Sequence, residues 1–461
     1  MSIALEFLGA ARHVTGTKHL LHVNDKQVLL DCGMVQGPRE MSNHANRNLP
    51  LEADGVDAVV LSHAHIDHSG SLPRLVRCGF RGPIYCTEAT KDLAGALLRD
   101  SAQIQAQDAA HLIRHGQHFE PAYVLEDVER TLRLMRGQRY RQGFEVVPEV
   151  FCEFYDAGHI LGAAMVVLDV DDGRTRMRIT FTGDHGRKNL PILRNPEHLP
   201  ETDVLITEST YGNRLHQESA AMEADLAAIV QEEQRDGGRI LIPAFSVGRT
   251  QNVVLFLGNL IAAGKIPRIP IYVDSPLSSE ATRIMARHPY CFDDETRAIL
   301  ASGRSPFFFE GVRYVTDVEE SKELNSLRSG VIVAASGMCE SGRILHHLKH
   351  SVGRQQDCVL MVGFQAQGTL GRKLVERQES VRIYGDWYRV HCKVREMGGF
   401  SAHADYGELL AHTKHLAAGC RHAFVVHGEE PTALIYADRL RKEGFRTVDV
   451  PTQRQRFELA P

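Results

Sequence analysis

The sequence predicts an α/β protein of two domains. Three observations carry that reading: 461 residues exceed what one ordinary core organises; short β-branched runs alternate with helical stretches; and histidines and carboxylates recur where those runs end. Hydrophobic content of 43% and charged content of 24% are ordinary for a globular chain.

Residues 3–8, 19–23 and 27–30 read as short strands, the third ending in Asp31-Cys32-Gly33. The apolar run 57–61 reads as a buried strand, and directly after it comes Ser62-His63-Ala64-His65-Ile66-Asp67-His68-Ser69-Gly70. His63 and His65 stand two apart, so an extended backbone turns both rings to one side, where they can share an ion. Asp67 and His68 follow on the bending chain and can reach a second ion, as in two-metal hydrolases. Four ligand-type side chains in six positions have few physical uses other than metal binding.

Residues 71–78 read as a helix, 83–86 as a strand and 87–135 as helices covering the sheet. The strand 151–155 runs into Asp156-Ala157-Gly158-His159, and 163–170 returns. Strand 177–181 ends in Thr182-Gly183-Asp184, and 203–207 runs into Glu208. One carboxylate at such a strand end can bridge two cations through its two oxygens.

From 212 the rhythm changes: helix 219–236, strand 239–243, helix 248–263, strand 269–273, helix 277–287 and strands 331–335 and 358–362. That alternation predicts a parallel sheet in a separate, inserted domain. Neither G-x-G-x-x-G nor G-x-x-x-x-G-K-[ST] occurs, so no nucleotide cofactor is indicated. Three loops, 243–249, 336–343 and 363–372, join strand to helix with glycine, hydroxyl and arginine. Ser246, Arg249, Ser336 and Arg343, with Ser401 later, are therefore candidates for holding a phosphate. Strands at 381–384 and 388–395 are expected to mark the return to the first fold, ahead of His403, and 423–426 ends in His427. The expected domains are 1–211, 212–378 and 379–461.

Nine scattered cysteines without a C-x-x-C pair argue against a disulfide framework or a cysteine zinc site. Met1 to Glu6 shows no basic region before an apolar core, and no apolar run approaches a membrane span, so a cytoplasmic enzyme is expected. A net charge of -5 excludes a broadly basic duplex binder but not a locally positive site.

Asp31, the H-x-H-x-D-H of residues 63–68, His159 and Asp184, in this order, resemble the signature of the metallo-β-lactamase superfamily. Glu208, His403 and His427 then resemble motifs A, B and C of its β-CASP group of nucleic-acid-processing nucleases. The resemblance spans nearly the whole chain. It implies an αββα sandwich interrupted by a β-CASP domain, and two zinc ions, with manganese or iron also suited to the nitrogen and oxygen donors. One ion is implied on His63, His65, His159 and Asp184, the other on Asp67, His68, Asp184 and His427, with Asp31 orienting the ligand loop. Asp67, Glu208 and His403 are the implied catalytic residues: His403 protonates the departing ribose oxygen, and Glu208 aims it and favours its charged form. Two dications, two carboxylates and a bridging hydroxide leave about one net positive charge, suited to a phosphodiester.

The function so implied is hydrolysis of RNA, endonucleolytic or from the 5′ end, with the attacking hydroxide held between the metals. A histidine at motif C resembles the RNA-processing branch, whereas the DNA-repair branch carries an apolar residue there. The alternatives are a DNA nuclease and a small-molecule thioesterase or lactonase; the latter lack the inserted domain and motifs A to C. A non-catalytic scaffold would have lost ligands, and none is substituted here. Single-stranded RNA held between the domains is the expected partner, a homodimer is compatible, and no membrane is expected.

Overall fold

The computed structural model describes residues 3–37, 39–114, 119–216, 219–363, 365 and 367–459. The chain divides into two compact units, one of residues up to 188, 195–215 and from 403 onward, the other of 189–194 and 216–402.

The first unit stacks two seven-stranded sheets. One runs in the order Gln455–Glu458, Ile3–Gly9, Lys18–Val23, Lys26–Leu30, Ala58–Val60, Ile84–Thr87 and Met135–Gln138. The other runs Val448–Asp449, His422–Val425, Val204–Thr207, Arg176–Phe181, Ala164–Asp171, Val150–Asp156 and Phe144–Val147. Alternation along the strands sends Phe7, Leu21, Val28 and Val60 from the first sheet, and Phe154, Val166, Ile179 and Phe424 from the second, into one shared core. The strand Ala58–Val60 is buried on both faces because the helices Leu72–Arg77, Glu88–Arg114 and Leu125–Leu134 cover its outer side. With Tyr406–Thr413 and Glu430–Lys442 on the second sheet, the layers are αββα.

Strand direction places the chemistry. Lys26–Leu30 and Ala58–Val60 are parallel neighbours in the first sheet. Arg176–Phe181, Val204–Thr207 and His422–Val425 run parallel in the second, with Phe181 beside Ile206 and Ile206 beside Phe424. All five therefore end at a common edge, where open α/β sheets bind their ligands. Asp31, His63, Asp184, Glu208 and His427 all stand just past those ends.

The second unit is a six-stranded parallel sheet in the order Val312–Val315, Ile271–Asp274, Gly330–Ala334, Arg239–Pro243, Cys358–Met361 and Lys393–Glu396. Alternate residues feed cores on its two faces: Ile240, Ile242 and Val331 enter one, Leu241, Ile332 and Val359 the other. The return to the first fold comes at 403 rather than near 379. The physical reason is that Lys393–Glu396 hydrogen-bonds along Cys358–Met361, while Ser380–Ile383 and Asp386–Arg389 close a separate antiparallel hairpin. No helix among the described residues is long and apolar enough to cross a membrane.

Candidate metal centre

The turn after Val60 carries His63 and His65 into the first unit and then coils into the short helix Ile66–Ser69. Backbone bonds seat it: Thr17 and Met34 donate to the carbonyls of Asp67 and Ile66, and Cys32 donates to that of His68. A Cβ on Gly33 would stand 1.6 Å from the carbonyl oxygen of Asp67, so only glycine lets the two turns meet. Gly183, at φ +53°, bends the chain after Phe181 over Ser62 and delivers Asp184.

Two clusters result. In the first, His63 Nε2 lies 3.1 Å from His65 Nδ1, which lies 3.3 Å from His159 Nε2. Asp184 Oδ2 is 3.4 Å from His63 Nε2 and 3.5 Å from His159 Nε2. In the second, His68 Nε2 is 3.2 Å from both His427 Nε2 and Asp184 Oδ1, and Asp67 Oδ2 is 3.5 Å from His427 Nε2. The two oxygens of Asp184 thus face different clusters. Asp184 Oδ1 is buried, and no hydrogen bond reaches it. An orphaned buried carboxylate oxygen, amid ring nitrogens that point at one another, fits cations and little else.

Electrostatics agree at the three histidines of the first cluster. Burial holds His63 down to about 3 and His65 down to about 4, and it holds His159 well below its ordinary value. All three are neutral imidazoles at neutral pH, the form that coordinates metal. Burial pulls on His68 in the same sense, but Asp184 and Asp31 outweigh it and raise that group well above its ordinary value. Against burial, the surrounding histidines hold Asp184 ionised.

Asp31, fully buried, accepts from Ser62 N at 2.6 Å and Ser62 Oγ at 2.7 Å, and lies 2.6 Å from His68 Nδ1. Ser62 Oγ, its own hydrogen given to Asp31, accepts from His63 Nδ1 at 3.1 Å. One carboxylate therefore sets the tautomers of two candidate ligands and leaves both Nε2 atoms facing the clusters. Asp31→Asn is expected to lower metal affinity about 10- to 100-fold, read by competition with a chromophoric chelator. Unchanged affinity would remove the orienting role.

Glu208, fully buried, is pinned by His185 N to Oε1 at 2.6 Å and Thr210 N to Oε2 at 3.3 Å. His403 Nδ1 lies 3.1 and 3.2 Å from its two oxygens and 3.9 Å from Asp184 Oδ2. Burial lowers the His403 pKa, yet Glu208 and Asp184 together push it up to about 9. The His403 side chain keeps 21% exposure, so the group is reachable from solvent.

The five phosphate candidates all belong to the second unit. Arg343 is corrected: its guanidinium donates to Asp274 Oδ1 at 2.6 Å and to the carbonyls of Val315 and Thr316, which makes it a brace between strand ends. Ser336 Oγ accepts from the backbone of Glu340 and Ser341, Arg249 donates to the carbonyl of Val362, and Ser246 and Ser401 are buried. The three loops do meet, since Gln365 donates to the Gly337 carbonyl and Gly337 abuts Phe245. Phe364 and Ala366, inside the third loop, lie outside the described residues. Two supporting hydroxyls escaped the sequence reading, Ser62 and Thr210; the latter's Oγ1 lies 3.1 Å from His427 Nδ1.

Residues 20–175 match the metallo-β-lactamase superfamily domain, 250–374 the β-CASP domain, and 387–451 the Zn-dependent metallo-hydrolase RNA specificity domain. A ribonuclease of Thermus thermophilus is 37% identical over 95% of this chain and 95% of its own. The chain belongs to the β-CASP group of the metallo-β-lactamase superfamily. Other members of the group resemble it over similar spans. An RNase J-like protein of Methanocaldococcus jannaschii is 30% identical over 98% of this chain and 97% of its own. The transcription termination factor FttA of Methanosarcina mazei is 30% identical over 95% of this chain and 68% of its own. A crystal structure from Enterococcus faecalis, of a protein of unknown function, superposes with a TM-score of 0.56 at 15% identity over both whole chains, and so shares the fold. In this β-CASP protein the two clusters are a site for divalent metal.

Proposed function

We propose that this β-CASP protein is a metal-dependent ribonuclease that hydrolyses RNA phosphodiester bonds. The observation that carries the reading is Asp184, whose oxygens divide between two ligand clusters with the His403 and Glu208 pair alongside. RNA is favoured as substrate by the RNA specificity domain matched at 387–451 and by the histidine at 427, which lies within the second cluster. The ribonuclease name of the Thermus thermophilus relative supports the same choice.

His63, His65, His159 and Asp184 would hold one ion, and Asp67, His68, Asp184 and His427 the other; the nitrogen and oxygen donor set suits zinc. When bound, two such ions supply Lewis-acid charge for the phosphate and acidify water. The protein does the rest. Asp31 and Ser62 keep the imidazoles of His63 and His68 turned inward, and Asp184 holds the clusters at fixed separation. His403, charged and held at Nδ1 by Glu208, gives the Nε2 proton to the leaving oxygen.

The test is digestion of end-labelled RNA and DNA of one sequence, in different 5′ phosphorylation states, with product lengths read on a gel. RNA is expected to be cut much faster than DNA, and chelation is expected to stop it. Equal rates on the two would remove the basis for an RNA substrate.

A further inference from the structure

The second unit carries a feature that its sheet does not need. The hairpin of Ser380–Ile383 and Asp386–Arg389 buries Val381 and Ile383 in the core on one side. Period-two alternation then turns Ser380, Arg382, Trp387 and Arg389 to the other side, with Arg382 directly across from Trp387 and Ser380 across from Arg389. Trp387 is 72% exposed, the most exposed large apolar side chain among the described residues. At the turn Tyr384, 53% exposed, packs against His346 at 4.9 Å between ring centroids with the planes tilted by 39°, and Lys349 is exposed one turn further along helix Arg343–Ser351.

Arg382, Arg389 and Lys349 form no ion pair among the described residues, although the chain as a whole is acidic. Asp386 sits on the opposite parity and points away from this face. Trp387 contributes little to folding while it stays in water, and the hairpin's arginines have no acidic partner among the described residues. A polyanion that also offers flat rings supplies what both lack.

We propose that this hairpin face of the second unit is a stacking platform for single-stranded RNA. The ligand class rests on the ribonuclease reading; the platform says where the strand is gripped. Single strands fit because their bases are available to Trp387 and Tyr384 while their phosphates meet Arg382, Arg389 and Lys349. In a duplex the bases are already stacked and paired.

Trp387 is the only tryptophan in the chain, so its fluorescence reports on this face alone. The full-length metal-loaded protein is mixed with 20-nucleotide oligoadenylate in a stopped-flow cell, so that binding is read before turnover. Saturable quenching is expected, and duplex RNA should give none. By anisotropy of labelled RNA, Trp387→Ala should weaken binding about 5- to 100-fold, with Trp387→Phe restoring most of it. Arg382→Ala with Arg389→Ala should lower the slope of log K against log salt by about 1.4. Cleavage of the RNA without quenching would overturn the platform and leave the ribonuclease reading standing; quenching without cleavage would do the reverse. Equal quenching by duplex, or quenching that rises with protein concentration before RNA is added, would also overturn it, the latter marking a protein interface.

Discussion

Asp184→Ala is expected to strip metal from both clusters at once and to lower RNA cleavage by about three orders of magnitude or more. The reason is geometric: Oδ2 faces His63 and His159 within 3.5 Å, and Oδ1 faces His68 at 3.2 Å, so one substitution opens both sites. Metal charge stabilisation contributes several kcal/mol to such a transition state, and each 1.4 kcal/mol is about tenfold in rate. His63→Ala is the control: the ring of His63 packs on His68, but its ligand nitrogen gathers only with His65, His159 and Asp184, so the variant should lose one ion rather than two. Elemental analysis of the purified variants reads the difference. Two ions retained in Asp184→Ala would show that the clusters are independent and that the carboxylate does not bridge them.

Why the site was legible in the sequence follows from where its residues fall. His63, His65, Asp67 and His68 are packed into one turn, and Asp184, Glu208 and His427 each close a β-branched run, so a local pattern exposes them. The supporting groups leave no such trace. Ser62 matters because its hydroxyl joins Asp31 to His63, and Asp31 is 31 residues away in sequence. Thr210 acts on His427, 217 residues distant. Arg343 misled the loop reading for a related reason: its glycine and hydroxyl neighbours are those of an anion site, but Asp274, 69 residues earlier, claims the guanidinium. The single strand expected over 388–395 is two, Asp386–Arg389 in the hairpin and Lys393–Glu396 in the parallel sheet, because pairing with Cys358–Met361 is a long-range property that local alternation does not encode.

His403→Ala should slow RNA cleavage about a hundredfold to ten-thousandfold while metal content stays at the level of the unmodified protein. The imidazole touches Glu208 and approaches Asp184 only to 3.9 Å, so its removal costs a proton donor rather than a ligand. A departing ribose oxygen needs that proton, whereas an activated aryl phosphodiester expels its leaving group unaided and should lose far less. Glu208 makes a second, independent reading possible. Its carboxylate is a principal cause of the raised His403 pKa, so Glu208→Gln lowers that pKa. The donor is the protonated form, present below its pKa and lost above it; the basic limb of the kcat profile should therefore move to lower pH in Glu208→Gln. The same carboxylate also accepts from the backbone of His185 at Oε1 and of Thr210 at Oε2; glutamine's single oxygen keeps the shorter bond to His185 and gives up the 3.3 Å bond to Thr210, so metal content and melting temperature are read alongside the profile. If His403→Ala slowed the RNA and the aryl ester by the same factor with metal intact, His403 would be holding the phosphate and not supplying a proton.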